Sequence, residues 1–150
     1  MAIDIEIVKK LREETQASIA DCKKALEESS GDYKKAIVWL RKRGAEIAEK
    51  KAQRETSQGI VESYVHGNGK SGVLVVLLCE TDFVAKTGEF KNLAHEIALQ
   101  ISAMDPKNVS DLLKQEYIRD PGMTIEDLVK QTIGKLGENI QVREFSRIEL

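Results

Sequence analysis

Thr81-Asp82-Phe83 sets a hydroxyl, a carboxylate and a large aromatic ring side by side at the end of an apolar run, Gly72-Val73-Leu74-Val75-Val76-Leu77-Leu78-Cys79. The run reads as a strand buried on both faces. An amphipathic helix pattern resumes a few residues after Phe83. The trio therefore sits at the tip of a strand-to-helix turn, where a rigid scaffold presents side chains meant to reach into another molecule. Each residue also has a plainer reading from its position alone. Phe83 can staple the start of the next helix, and Asp82 can cap it.

Groups that would make or break bonds are scarce. No Ser/His/Asp or Cys/His set stands out. Gly67-Asn68-Gly69 lies between two strand patterns and not before a helix, so it supplies a hairpin turn and no phosphate cradle. His66 ends a strand pattern and His95 lies within a helix pattern. Cys22 and Cys79 fall in separate apolar patterns and read as reduced core residues of a cytoplasmic protein. The carboxylates are scattered over helix faces, where solvation is the default. No enzymatic activity, no metal site and no cofactor is expected. A net charge of −2 argues against general nucleic-acid affinity, and no run is long enough to span a membrane.

The elements that carry these residues fall into two parts. In the first, Ile5, Val8 and Leu11 form one helical stripe, Ile19, Cys22 and Leu26 a second, and Tyr33, Ala36, Ile37 and Leu40 a third. Ser18 with Asp21 resembles a capping box, Gly31 ends the second helix, and Asp32 caps the third. Trp39 lies off its stripe, which suggests partial exposure. Residues 1–45 are expected to form a three-helix bundle. Residues 46–58 are expected to be a charged helical linker within a basic stretch, 41–54, that holds six basic and two acidic side chains.

Residues 59–150 change pattern and form an α+β core. Ile60 to His66 and Val73 to Cys79 read as a hairpin. A long helix then buries Phe90, Leu93, Ala94, Ile97 and Ile101, and residues 107–123 read as irregular or weakly helical. Thr124 with Asp127 starts a further helix that Gly137 stops. A last strand covers Ile140 to Leu150, where Ile140 and Val142 are out of phase with Phe145. That phase break fits either a bulge or burial on both faces. The fold class is α+β: helices first, then a three-stranded antiparallel sheet packed with helices.

Three motifs resemble the bacterial elongation factor Ts family, the nucleotide exchange factors of the translational GTPase elongation factor Tu. They are Leu11-Arg12-Glu13-Glu14-Thr15 with Asp21-Cys22-Lys23-Lys24-Ala25-Leu26, then Glu80-Thr81-Asp82-Phe83-Val84-Ala85-Lys86, then Lys135-Leu136-Gly137-Glu138-Asn139-Ile140. They occur in the family's order, and the similarity spans essentially the whole chain. The resemblance implies that the bundle is a ubiquitin-associated-like domain docking on the GTPase through Arg12, Ile19, Ala20 and Lys23. It implies that Thr81, Asp82, Phe83 and Val84 intrude beside the nucleotide and dislodge its Mg²⁺, and that Leu136 and Gly137 touch the same domain.

The chain departs from that family in three respects. Gln16-Ala17-Ser18-Ile19-Ala20 stands where members usually carry a Gly- and Met-rich loop. A second copy of the core and a helical hairpin, present in many members, are both missing. The resemblance further implies a homodimer through the sheet, a cytoplasmic location consistent with a start at Met1 without a transit segment, and a natural end at Arg147-Ile148-Glu149-Leu150. Two other readings compete with exchange. One is a docking module that binds without accelerating release. The other is an RNA-binding protein using Arg41, Lys42, Arg43, Lys50, Lys51 and Arg54.

Overall fold

A computed structural model describes residues 2–150. The chain runs α1 (Ile5–Thr15), α2 (Ile19–Glu28), α3 (Tyr33–Lys51), β1 (Gln58–His66), β2 (Ser71–Cys79), α4 (Asp82–Ala85), α5 (Gly88–Met104), α6 (Val109–Lys114), β3 (Glu116–Tyr117), β4 (Asp120–Thr124), α7 (Ile125–Leu136) and β5 (Gln141–Glu149). The α+β class expected from the sequence is what forms.

Short polar side chains start the first three helices. Asp4, Ser18 and Asp32 accept the N–H groups of Glu6, Asp21 and Lys35. At Thr124 and Asp127 the reciprocal capping box is complete, and Gly137 ends α7 at φ 75°, a conformation that favours glycine. Val8, Leu11, Cys22, Ala25, Leu26, Ala36 and Leu40 pack together inside the bundle, with Trp39 half-buried at its margin.

β2 is the central strand, with β1 and β5 antiparallel on either side. Val73, Val75, Leu77 and Cys79 point from β2 into the main core, which they share with Phe90, Leu93, Ala94, Ile97 and Ile101 of α5. One sequence expectation fails here. The other face of β2 is open in the single chain: Leu74 is 52% exposed between Ser63 and Ser146, and Val61, Val65 and Ile148, diagonal to it on the flanking strands, are exposed too. A continuous apolar run therefore marks a strand covered on one face only, with a second apolar face left bare.

The phase break in the last strand is a bulge. Val76 pairs with Glu144 but Leu77 pairs with Val142, so Arg143 is the extra residue. Residues 107–123 are more ordered than their pattern implied, forming α6 and the β3–β4 hairpin. Order there comes from a distant residue. The buried Gln100 of α5 donates to Gln115 Oε1 and the Glu116 carbonyl and accepts the Ile118 N–H.

α3 runs without a break from Tyr33 to Lys51, and residues 52–57 lead irregularly to β1. Ala36 and Leu40 belong to the bundle core, whereas Ala48 belongs to the main core. The helix passes α7 at two glycines. A Cβ on Gly134 would lie 3.2 Å from Gly44 Cα, while one on Gly44 would make ordinary contact at 3.8 Å with Gln131 Cα. Gly44→Ala should therefore raise stability by up to about 1 kcal/mol through helix propensity. Gly134→Val should force α3 away and lower stability by roughly 1–3 kcal/mol. Urea midpoints of the two variants check this, and equal tolerance at both positions would count against a close crossing.

Candidate partner-binding site

β2 ends at Cys79, and the two residues that follow carry the chain into α4. Thr81 is the N-cap of α4 and accepts the Val84 N–H at 3.3 Å. Asp82 is thus the first residue of α4 and not its cap. Thr87 caps α5 by accepting the Phe90 N–H. With both caps supplied by threonines, neither plain reading of Asp82 and Phe83 survives. Phe83 staples nothing: it is 86% exposed. Burying such a ring is worth about 1.5–3 kcal/mol, and here that surface is left in water.

The four-residue segment divides sharply. Asp82 and Phe83 are exposed, Thr81 is half-buried, and Val84 packs against the main core. Asp82 Oδ2 is 2.8 Å from Lys86 Nζ one helical turn on, and this bond raises the lysine's pKa. Exposed pairs of this spacing contribute little, so the carboxylate remains free to change partners. Beneath the turn, burial raises the Cys79 thiol, with the Glu138 charge adding to the effect.

The turn is fastened to the end of α7. Glu138 Oε1 accepts the N–H groups of Glu80 (3.2 Å) and Thr81 (3.0 Å), and its Oε2 accepts the Thr81 hydroxyl at 2.6 Å. In return, Glu80 Oε2 accepts the Asn139 N–H at 2.7 Å. The buried Asn139 amide donates to the carbonyls of Ala52 and Arg54, and Arg54 lies 3.6 Å from Glu80. This places Thr81–Val84 beside Leu136 and Gly137. Leu136 packs against the core, while Gly137 is exposed. Glu138 and Asn139 belong to the third motif, but their types and positions do not mark them as a clamp. The only signal was a glutamate and an asparagine directly after a helix-ending glycine.

Arg12, Ile19, Ala20 and Lys23 form a second group on the bundle. Arg12 lies in the last turn of α1, and the others lie in the first half of α2. All four side chains are exposed, Ile19 among them as a large apolar residue. Gln16 turns the chain between these helices at φ 60°, a left-handed conformation unusual for glutamine. A cleft of about 460 Å³ separates bundle from core, lined in part by Arg12, Gln16, Gly44 and Gly134, and Arg41 meets Asp120 at 3.3 Å across it.

Three cations of the basic stretch lie near carboxylates of this chain. Arg41, Arg43 and Arg54 are paired with Asp120, Glu46 and Glu80. Half of the six cations proposed for RNA therefore have a carboxylate of this chain within 3.8 Å, in surface pairs weak enough to change partners. No helix among the described residues is long and apolar enough to cross a membrane.

Residues 80–150, which hold the strand-to-helix turn and its clamp, match the family model described as elongation factor TS. Elongation factor Ts of Thermoanaerobacter sp. (strain X514) is 43% identical over 98% of this chain and 94% of its own length. That of Thermotoga neapolitana is 41% identical over 100% and 98%. That of Rippkaea orientalis is 43% identical over 99% and 78%. Their aligned stretches of 192 to 194 residues exceed this chain's 150, so the relatives carry internal residues that this chain lacks. The likeness covers the bundle as well as the core, and on that basis the chain belongs to the elongation factor Ts family.

Proposed function

We propose that this chain is the guanine nucleotide exchange factor of translation elongation, binding elongation factor Tu·GDP, dislodging Mg²⁺ and releasing GDP so that GTP can bind. The observation that carries this reading is Phe83, a bare aromatic ring on a firmly held turn beside an exposed carboxylate. A translational GTPase holds GDP through its phosphate loop and a bridging Mg²⁺, and release is slow until those contacts are disturbed. An exchange factor must favour the nucleotide-free form, and by reciprocity it weakens GDP by the same ratio in which GDP weakens the factor.

In this mechanism Arg12, Ile19, Ala20 and Lys23 dock the bundle on the nucleotide domain of the GTPase. Phe83 then enters an apolar cleft and shifts the elements around the metal. Asp82 leaves Lys86 and competes for polar contacts near Mg²⁺. Thr81 and Val84 hold these two in place, and Leu136 and Gly137 bring the end of α7 against the same domain. Phe83 is the larger contributor, since transfer of its ring from water is worth tenfold or more in affinity.

We further propose that two copies pair through the open sheet face. Val61, Val65, Leu74 and Ile148 are exposed on one side of the sheet, interleaved with Ser63 and Ser146, and a cluster of large apolar side chains of this kind suits an interaction surface.

Stopped-flow release of a fluorescent GDP analogue from elongation factor Tu tests the exchange reading. Phe83→Ala should lower the acceleration about tenfold or more, and Asp82→Ala should lower it less. Because the ring is exposed, Phe83→Ala should leave folding stability within about 0.5 kcal/mol of the parent. A parental release rate in Phe83→Ala would overturn the wedge. Binding without acceleration by the parent chain would reduce it to a docking module. For the dimer, sedimentation at micromolar concentration should give a two-chain species that Leu74→Glu converts to one chain, and a monodisperse monomer of the parent would overturn the pairing.

A further inference from the structure

We propose that Glu138 is the positioning residue for the Asp82–Phe83 wedge, a role that rests on the exchange reading above. The main-chain N–H groups of Glu80 and Thr81 lie just beyond the last residue of β2 and before α4. One carboxylate takes both of them, and its second oxygen takes the Thr81 hydroxyl. That hydroxyl oxygen is in turn the cap of α4, accepting the Val84 N–H. Glu138 thereby fixes the residue that fixes the first turn of α4, from which Asp82 and Phe83 project.

The clamp is reciprocal. Glu80 accepts the Asn139 N–H, so the strand end and the helix end each lend a carboxylate to the other's backbone. Charge-assisted bonds of this kind are the strong ones, and several on one turn set its orientation as well as its stability. The clamp also joins the two core segments proposed to meet the GTPase, Thr81–Val84 and Leu136–Gly137, into one rigid surface. The bundle's docking residues lie on α1 and α2 and take no part in it.

Only a carboxylate satisfies all three donors. In Glu138→Gln the amide oxygen can still take the two N–H groups, but the amide nitrogen only donates, so the Thr81 hydroxyl loses its acceptor. In Glu138→Ala the whole turn is released. The freed N–H groups lie at a partly exposed surface and can turn to water, so the core survives the change while the turn loosens.

The test measures GDP release from elongation factor Tu as a function of the concentration of the full-length factor. For Glu138→Ala the maximal rate should fall about tenfold with the half-saturating concentration within about twofold of the parent, because docking by the bundle persists. Glu138→Gln should lie between the two, and it carries the test if the alanine variant fails to fold. Amide hydrogen exchange should quicken at Glu80 and Thr81 and stay at parental protection in β2 and α5. A parental maximal rate in both variants overturns the role. So does a defect seen only in the half-saturating concentration, or lost protection throughout the core. If the parent chain itself leaves GDP release unchanged, the exchange reading falls and this role falls with it.

Discussion

The arrangement of this protein hangs on the crossing of α3 and α7. Among the described residues, α3 is the one helix that belongs to both apolar clusters: Ala36 and Leu40 lie in the bundle, Ala48 in the main core. At 19 residues it is about 28 Å long, a lever with the bundle near one end and the sheet near the other. Gly44 and Gly134 let the two backbones approach within side-chain distance, which leaves little room for the lever to slide. A bundle of this size would be marginal alone, so its stability is borrowed from the core along the same helix. Any partner that touches both Ile19 and Phe83 meets two surfaces whose separation this crossing sets.

The helices were legible because each buries a single stripe. Val8 with Leu11, Cys22 with Leu26, and Phe90 through Ile101 recur at helical spacing and are buried, whereas Ile5 and Ile19, the first members of the first two stripes, are exposed. The outer sheet face was misread for a definite reason. Val73 to Cys79 is apolar at every position, and the pattern is the same whether a helix, a second chain or nothing lies over Leu74. Periodicity reports which side chains avoid water, not what covers them. The phase break before Phe145 was visible, but a bulge and two-sided burial leave the same trace in sequence, and only the pairing of Leu77 with Val142 separates them. The order in residues 109–124 was invisible because Gln100, a polar residue in an apolar helix, supplies it from another element.

The site was legible in part. Phe83 stood out by type and place, yet its spacing from the next helix fitted a staple as well as a projection. Exposure decides the matter, since a ring left 86% in water staples nothing. Glu138 was hidden by distance along the chain, 57 residues from Thr81. A single glutamate after a glycine carries no mark of the backbone it will hold.

Holding an aromatic ring in water is unfavourable, and a chain that does so must recover the cost elsewhere or in a complex. Here the recovery depends on order already present before binding. A ring on a loose turn would lose conformational freedom on entering a cleft, and each immobilised side chain of that kind costs about 0.5–1.5 kcal/mol. Three hydrogen bonds to one carboxylate and a capped first turn place that cost in the folding of the free protein. In the proposed mechanism, what remains on binding is transfer of the ring from water, offset by whatever the GTPase must distort to admit it. An exchange factor needs that distortion to fall on the contacts that hold nucleotide and metal, because only a difference between the two states of the partner moves its equilibrium. A rigid ring transmits such strain, whereas a mobile one would relax around it. The firmness of the turn is therefore as much a part of the proposed mechanism as the ring it carries.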